Sequence, residues 1–300
     1  MKTKFIKAAK KILGKNLISI FYRSLFFLSD ESYLRLIYRL RMGRKLNLDN
    51  PVTFNEKLQW LKLNDHKALY TKMADKLGVR DYVGEKAGKE HVVPVLGVYS
   101  SFDEIDFSSL PSSFVLKTTH DSGSYVICPD KTKLDIKGAR KTIGRSIERN
   151  YYRTTREWQY RDIKPRIIAE EFLGENLTDY KFFCFNGEPK FMYIEQEAGE
   201  SHEQAIFDME FKREPFTMED KYSTAFFKKP DFFDEMKRIA AVLSAGIPFL
   251  RTDMYYVEGK ILVGELTFYH YGGFIPFNPP GWDETIGGYL DIKKDLRGDK

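Results

Sequence analysis

The stretch that most constrains this chain is Leu250–Thr267, LRTDMYYVEGKILVGELT. Two β-branched and aromatic runs meet at Glu258-Gly259, which reads as a β-hairpin. Each arm carries a carboxylate where a plain core strand carries an apolar residue: Asp253 in the first, Glu265 in the second. Register decides whether they meet. A three-residue turn sets Val257 against Ile261 and Asp253 against Glu265, with Cβ atoms about 5 Å apart on one face. A two-residue turn sets Asp253 against Gly264 and sends the carboxylates to opposite faces, unless a bulge restores the pairing. Two adjacent carboxylates repel unless a cation lies between them, and Mg²⁺ takes one or two carboxylates together with nucleotide phosphates. On the hairpin alone, a metal site and an acidic residue at each end of a surface hairpin weigh evenly.

Three hundred residues, 42% of them hydrophobic, suffice for one large domain or two to three lobes around a real core. The 24 Phe and 18 Tyr favour sheet. A net charge of +5 is a mild basic bias. A nucleic-acid partner would need that charge gathered on one face, so none is expected; nucleotides or acidic sugars fit the bias as well. Cys128 and Cys184 lie in strand-like runs and read as free buried thiols. The five histidines show no paired spacing, so no zinc site is readable. At the N-terminus, Lys15 and Arg23 interrupt the apolar run, leaving it too short to span a bilayer. It has no small-residue cleavage site, so a secretory signal is not expected. Two readings stay open there: a helix packed on the domain, or a basic amphipathic helix on an anionic membrane surface. Either way the expected location is cytoplasmic, with peripheral membrane contact in the second case.

Along the chain, Tyr33, Leu34, Ile37 and Leu40 give residues 30–48 helical spacing, and Asn50-Pro51 ends that helix. Thr53-Phe54-Asn55-Glu56 matches a capping box. A second amphipathic helix is expected over 69–83, with Lys76 and Arg80 on one face, which by spacing alone is a solvated edge. After a lobe boundary near Pro111, the run from Phe114 to Cys128 is strand, small polar loop, strand. Lys117 feeds that loop, and its backbone N–H groups and hydroxyls suit a phosphate. An ordinary hairpin with an edge lysine would look the same. Residues 135–150 read as a basic helix, followed by Arg153, Arg156 and Arg161 beside Trp158 and Tyr160. Asn186-Gly187 joins two strands of a further hairpin opened by Asp179 and Lys181. Residues 196–230 read as irregular and charged, and 232–246 as a helix closed by Gly246.

The order of these features resembles the ATP-grasp superfamily. Three blocks, Thr53–Lys62, Asp179–Gly187 and Gly264–Tyr269, narrow the resemblance to its TupA-like branch, linked to teichuronopeptide and capsular polysaccharide synthesis. The resemblance runs from about Pro51 to Leu290. It implies an α+β fold in which two lobes with mainly antiparallel sheets clamp ATP. The expected division is a helical extension (1–50), an N-terminal lobe (51–110), a central subdomain with phosphate loop and hinge (111–175), and a C-terminal lobe (176–300). It also implies site residues. Lys76 and Lys117 contact the phosphates under the Ser122-Gly123-Ser124 loop. Glu170-Glu171-Phe172-Leu173 forms the hinge, with the backbone of Glu171 and Leu173 bonding the adenine edge. Asp179 holds the ribose, and Lys181 lies near the γ-phosphate or the substrate carboxylate. Asp253 and Glu265 hold Mg²⁺, two ions in number, with Thr267 where many relatives carry Asn. Arg251 stabilises the transferring phosphoryl group. Arg153, Arg156, His270 and Tyr271 are candidate substrate contacts. In the phosphate loop, Asp121 departs from the branch pattern and puts a negative charge beside the phosphates.

The function this implies is an ATP-dependent carboxylate–amine ligase. It would join an amino acid or small amino alcohol to a uronic acid of an acidic polysaccharide or a lipid-linked glycan precursor. Two alternatives stay open. One is a glycosyltransferase using a nucleotide sugar. The other is a glycan-binding protein with a degenerate nucleotide site, which Asp121 would favour.

Overall fold

Two mainly antiparallel sheets carry the fold. The computed structural model describes residues 24–175, 177–198, 201–218 and 221–293; the basic N-terminal segment and its two readings lie outside them up to residue 23.

Helix α1 (Asp30–Met42) begins where Ser29 accepts the N–H of Ser32. It buries Tyr33, Leu34, Ile37 and Tyr38. It stops at Met42 rather than 48, because Gly43 takes a left-handed cap at φ 74°. Helix α2 (Phe54–Asn64) has both halves of its capping box. Its Phe54 ring meets those of Phe249 and Phe185 at 4.9 and 5.6 Å. The single helix expected over 69–83 is instead α3 (Ala68–Ala74) and α4 (Gly78–Lys86). Asp75 breaks it: its carboxylate accepts the N–H of Leu77 at 3.0 Å and pairs with Arg166 at 2.7 Å. The Lys76 N–H then turns to the Thr119 carbonyl at 3.1 Å. A local side-chain cap supported by a distant arginine outweighs helix continuation.

The smaller sheet has the order β1-β4-β2-β3, with β1 (Val95–Tyr99), β2 (Phe114–Thr118), β3 (Tyr125–Cys128) and β4 (Ile167–Glu171). Strand β1 thus joins this sheet from the other side of the boundary expected at 110. Alternation puts Phe114, Leu116, Ile167 and Ala169 in a core shared with Ile143 of α5 (Ile136–Ile147). It turns Lys117 and Glu170 to the other face.

The larger sheet runs β11-β10-β5-β6-β7-β9, antiparallel except where β7 meets β9. Its strands are β5 (Tyr180–Phe185), β6 (Glu188–Ala198), β7 (Ser201–Asp208), β9 (Lys221–Tyr222), β10 (Phe249–Val257) and β11 (Lys260–Thr267). Between them β8 (Thr217–Met218) pairs with β12 (Phe277–Asn278). The region expected to be irregular, 196–230, therefore supplies sheet. Ala205, Ile206 and Phe207 are its buried apolar centre, short enough to be masked by the surrounding charges. Behind the sheet, helix Phe233–Ser244 packs its Phe233 ring 5.6 Å from Phe182 and accepts the Cys184 thiol at the Ala240 carbonyl. Both cysteines are free and buried. Among the described residues no helix is long and apolar enough to cross a membrane.

Because Phe54 is fully buried between the sheet and the C-terminal segment, Phe54→Ala is expected to cost about 3–5 kcal/mol of stability. Urea denaturation measures it, and a loss below about 1 kcal/mol would contradict the docking of α2 described here.

Candidate active site

The hairpin turns through Glu258 and Gly259, at φ 49° and 80°. That is the two-residue turn, which alone would separate the carboxylates. Pairing runs from Val257↔Lys260 to Met254↔Val263 and then slips, so that Asp253 faces Glu265. Gly264 is the bulged residue, and a Cβ there would lie 2.5 Å from the Tyr255 ring. A bulge, not a longer turn, brings the acids together. On its other side Asp253 faces Lys181, and Lys181 faces Tyr193. One row across the sheet therefore reads Tyr193, Lys181, Asp253, Glu265. The next row reads Phe183, Arg251, Thr267.

The cation between the carboxylates is Arg251. Its Nε and Nη2 each donate to an Asp253 oxygen at 2.6 Å, and Nη2 lies 3.8 Å from Glu265. Its Nη1 lies 2.6 Å from His270 Nδ1. An arginine only donates, so Nδ1 accepts. Burial, then Arg251 and Lys181, hold the His270 pKa well below its ordinary value, so the ring is neutral. Lys181 donates to Asp179 and stands 3.8 Å from Asp253. Burial lowers its pKa, but Asp253 and Asp179 outweigh burial and raise it. Burial, then Asp253, pushes Asp179 up. Thr267 Oγ1 and Asp179 Oδ1 are buried with no hydrogen-bond partner among the described residues.

The smaller sheet contributes a second charged group. Buried Glu170 accepts from Lys117 and Arg80, each at 2.5 Å. Burial pushes its pKa up, and the two cations more than reverse this. Lys76 donates to the Asp121 carbonyl. Burial lowers its pKa, and the charge of Glu265, from the larger sheet, opposes that most. Lys76 and Arg80 are therefore not a solvated edge: after the break at Asp75, Lys76 reaches the Asp121 carbonyl and Arg80 reaches Glu170, with which and with Glu265 it lines a small cleft between the sheets. The four-residue spacing placed Arg80 beside Lys76, but spacing alone read as a solvated edge, because its partner Glu170 lies 90 residues away.

Asp121 is turned inward. Its carboxylate is buried and accepts from Thr118 and Ser124 at 2.5 Å and from Ser146 at 2.6 Å. It braces the loop base, leaving Ser122 and Gly123 as an exposed tip. At the end of β4, the Glu171 N–H already donates to the Pro94 carbonyl at 3.1 Å, and Phe172 and Leu173 follow half-buried. Of the candidate substrate contacts, His270 joins the site, Tyr271 is exposed beside it, and Arg153 is exposed. Arg156 is turned away. Its guanidinium is buried over the Tyr33 ring at 4.5 Å and donates to the Leu25 and Leu28 carbonyls, so it anchors α1.

A sequence model of the TupA-like ATPgrasp family matches residues 56–291, and the chain belongs to that family. No curated protein matches the sequence. Among solved structures, it is similar to a D-alanine–D-alanine ligase from Bacillus anthracis complexed with ATP, at 12% identity and TM-score 0.41, covering 66% of this chain and 54% of that one. It is also similar to an L-amino acid ligase from Bacillus licheniformis, at 12% identity and TM-score 0.44, covering 83% and 57%. A third is the ATP-grasp ligase PsnB complexed with a minimal precursor, Mg and ADP, at 11% and 0.38, covering 89% and 66%. The chain spans between about half and two thirds of the length of these structures. The likenesses are distant, and no activity follows from them.

Glu170→Gln removes the counter-charge of two cations and is expected to cost about 3 kcal/mol near neutral pH. The folded carboxyl is held below its ordinary pKa, so its stabilisation is present above the unfolded value and fades as pH falls through the lowered one. Denaturation of both proteins across that range should show the gap closing in acid; a gap constant with pH would contradict the pairing.

Proposed function

We propose that this protein is an ATP- and Mg²⁺-dependent carboxylate–amine ligase. The observation that carries the reading is the row Lys181–Asp253–Glu265 with Arg251 beside it, where Glu265 lines a small pocket together with Arg80 and with Glu170, the acid that holds Lys117. Acids and cations gathered on one sheet face suit a polyphosphate and its metal.

Asp253, Glu265 and Thr267 fit Mg²⁺: all are oxygen donors, and the Thr267 hydroxyl lacks a partner among the described residues. Bound there, the metal would neutralise charge on the ATP phosphates. Arg251 would then leave Asp253 and turn its guanidinium to the transferring phosphoryl group. Lys181 would hold the γ-phosphate or the attacking carboxylate, and Asp179 the ribose. Lys117 and Lys76, under the Ser122-Gly123-Ser124 tip, would meet the phosphates, and the backbone from Glu170 to Leu173 the adenine. Lys181, Lys117 and Lys76 are already oriented by internal acceptors, which lowers the cost of arranging them around developing charge.

In the first step a substrate carboxylate attacks the γ-phosphorus and ADP leaves, giving an acyl phosphate. In the second an amine attacks the acyl carbon and phosphate leaves, giving an amide. Closure of the sheets would keep water from the acyl phosphate. The resemblance to the teichuronopeptide and capsular branch supports a uronic acid as the carboxylate, on an acidic polysaccharide or lipid-linked precursor. It supports an amino acid or small amino alcohol as the amine. Arg153 and the exposed Lys137, Lys141 and Arg145 of α5 suit an acidic glycan. The reading as a degenerate nucleotide site rested on Asp121, whose charge is bonded inward.

Incubation with Mg·ATP, a uronic-acid glycan and mixed amines should release ADP and phosphate only when both substrates are present. UDP release from a nucleotide sugar would overturn the reading in favour of glycosyl transfer. Mg·ATP should also raise the melting temperature, and Glu265→Gln should abolish that rise; no shift with the native protein would count against nucleotide binding altogether.

A further inference from the structure

The charge of this chain is unevenly placed. Residues 1–29 hold six lysines, one arginine and no acid, while the whole chain carries only +5, so everything after Ser29 is slightly acidic. In sequence, Lys4, Lys7, Lys11 and Lys15 recur at three- and four-residue spacing, with Phe5, Ile6, Ile12 and Leu13 set between them. That mixture of basic and apolar residues suits an anionic membrane surface. By itself it leaves packing on the domain open as well.

At the first described residues, a turn over Leu25–Leu28 closes with the Leu28 N–H on the Leu25 carbonyl at 3.2 Å. Buried Arg156 donates to the carbonyls of Leu25 and Leu28 at 3.3 and 3.4 Å. The Leu25 and Leu28 side chains pack against the core that α1 shares with Phe274. The turn is thus fixed to the domain from within. Its other two side chains face out: Phe26 is 71% and Phe27 69% exposed, with ring centroids 6.1 Å apart. Single exposed apolar residues are ordinary. Two neighbouring phenyl rings, held outward by a buttressed turn and preceded by seven basic residues with no acid among them, mark an interaction surface. Aromatic rings settle at the headgroup level of a bilayer, and basic residues beside them are drawn to anionic lipid. An acidic glycan would also meet the charge, but Leu25–Leu28 offers no hydrogen-bonding side chain to its hydroxyls.

We propose that the Leu25–Leu28 turn docks this protein on an anionic phospholipid bilayer: Phe26 and Phe27 enter the boundary between headgroups and acyl chains, and the lysines before them supply the attraction. Binding of this kind adds buried apolar area to attraction for anionic lipid, so loss of either weakens it. The contact is peripheral, since Lys15 and Arg23 leave no apolar run long enough to span. Neither ATP nor the charged row of the cleft takes part, so the docking is independent of the ligase reading.

The test is sedimentation of the full chain with phosphatidylcholine vesicles, with and without about 30% phosphatidylglycerol. The native protein should partition about ten-fold or more in favour of the anionic vesicles, and less as salt rises. Phe26→Ser combined with Phe27→Ser should lower that partition about ten-fold or more. The melting temperature of this variant in buffer should match the native one, because neither ring is buried. Lys4→Gln, Lys7→Gln, Lys11→Gln and Lys15→Gln together should lower partition onto the anionic vesicles by a similar factor, about ten-fold. No binding to anionic vesicles, equal binding to both kinds, or native binding by the double Phe variant would overturn the inference. A lower melting temperature of that variant in buffer would mean that the chain itself covers the rings, and would overturn it too. A dimer in buffer that the double Phe variant abolishes would assign the face to a second copy. Binding to soluble polygalacturonate in place of vesicles would assign the charge to an acidic glycan. Either result overturns the bilayer as the partner.

Discussion

The one-residue slip at Gly264 is the constraint on which the rest of the cleft depends. Side chains alternate along a strand, so a hairpin closed by two residues would carry Asp253 and Glu265 on opposite faces. The bulge returns them to one face and into line with Lys181. It is tolerated because Gly264 has no side chain where the Tyr255 ring lies. The place of Glu265 beside Asp253, and of Thr267 beside Arg251 in the next row, follows from that slip.

Charge on both sides of the cleft is held by internal pairs rather than by solvent. Glu170 holds Lys117 and Arg80, Asp253 holds Arg251, and Asp179 holds Lys181. In a buried setting such pairs fix direction more than they add stability. Lys117 and Lys181 are thereby oriented before any ligand arrives. Asp121 plays a similar part for the loop: three hydroxyls bond its carboxylate, and the loop above it is held at its base.

What could be read from the chain was local. The capping box at Thr53, the Asn186-Gly187 turn and the hairpin at Glu258-Gly259 each depend on residues a few positions apart. Their interactions are strong enough to act before the fold is complete. What could not be read depended on distant partners. Asp75 breaks a helix because Arg166 and Thr119 are there to meet the ends. Arg156 turns from the cleft because Tyr33 and the Leu25 and Leu28 carbonyls await it. Strands β6 and β7 extend into a charged segment because the sheet offers them an edge and a core.

The sequence by itself determined that two carboxylates, Asp253 and Glu265, sit in opposite arms of a hairpin, since turn and strand preferences are short-range. It also determined that lysines precede the small-residue loop and open the next hairpin. Only the tertiary structure decided that the acids share a face, because register between strands is set by packing across the sheet, here of Tyr255 over Gly264. Only it decided that Asp121 points inward and that Arg156 is drawn over the Tyr33 ring. Those outcomes depend on which groups from elsewhere in the chain arrive beside them.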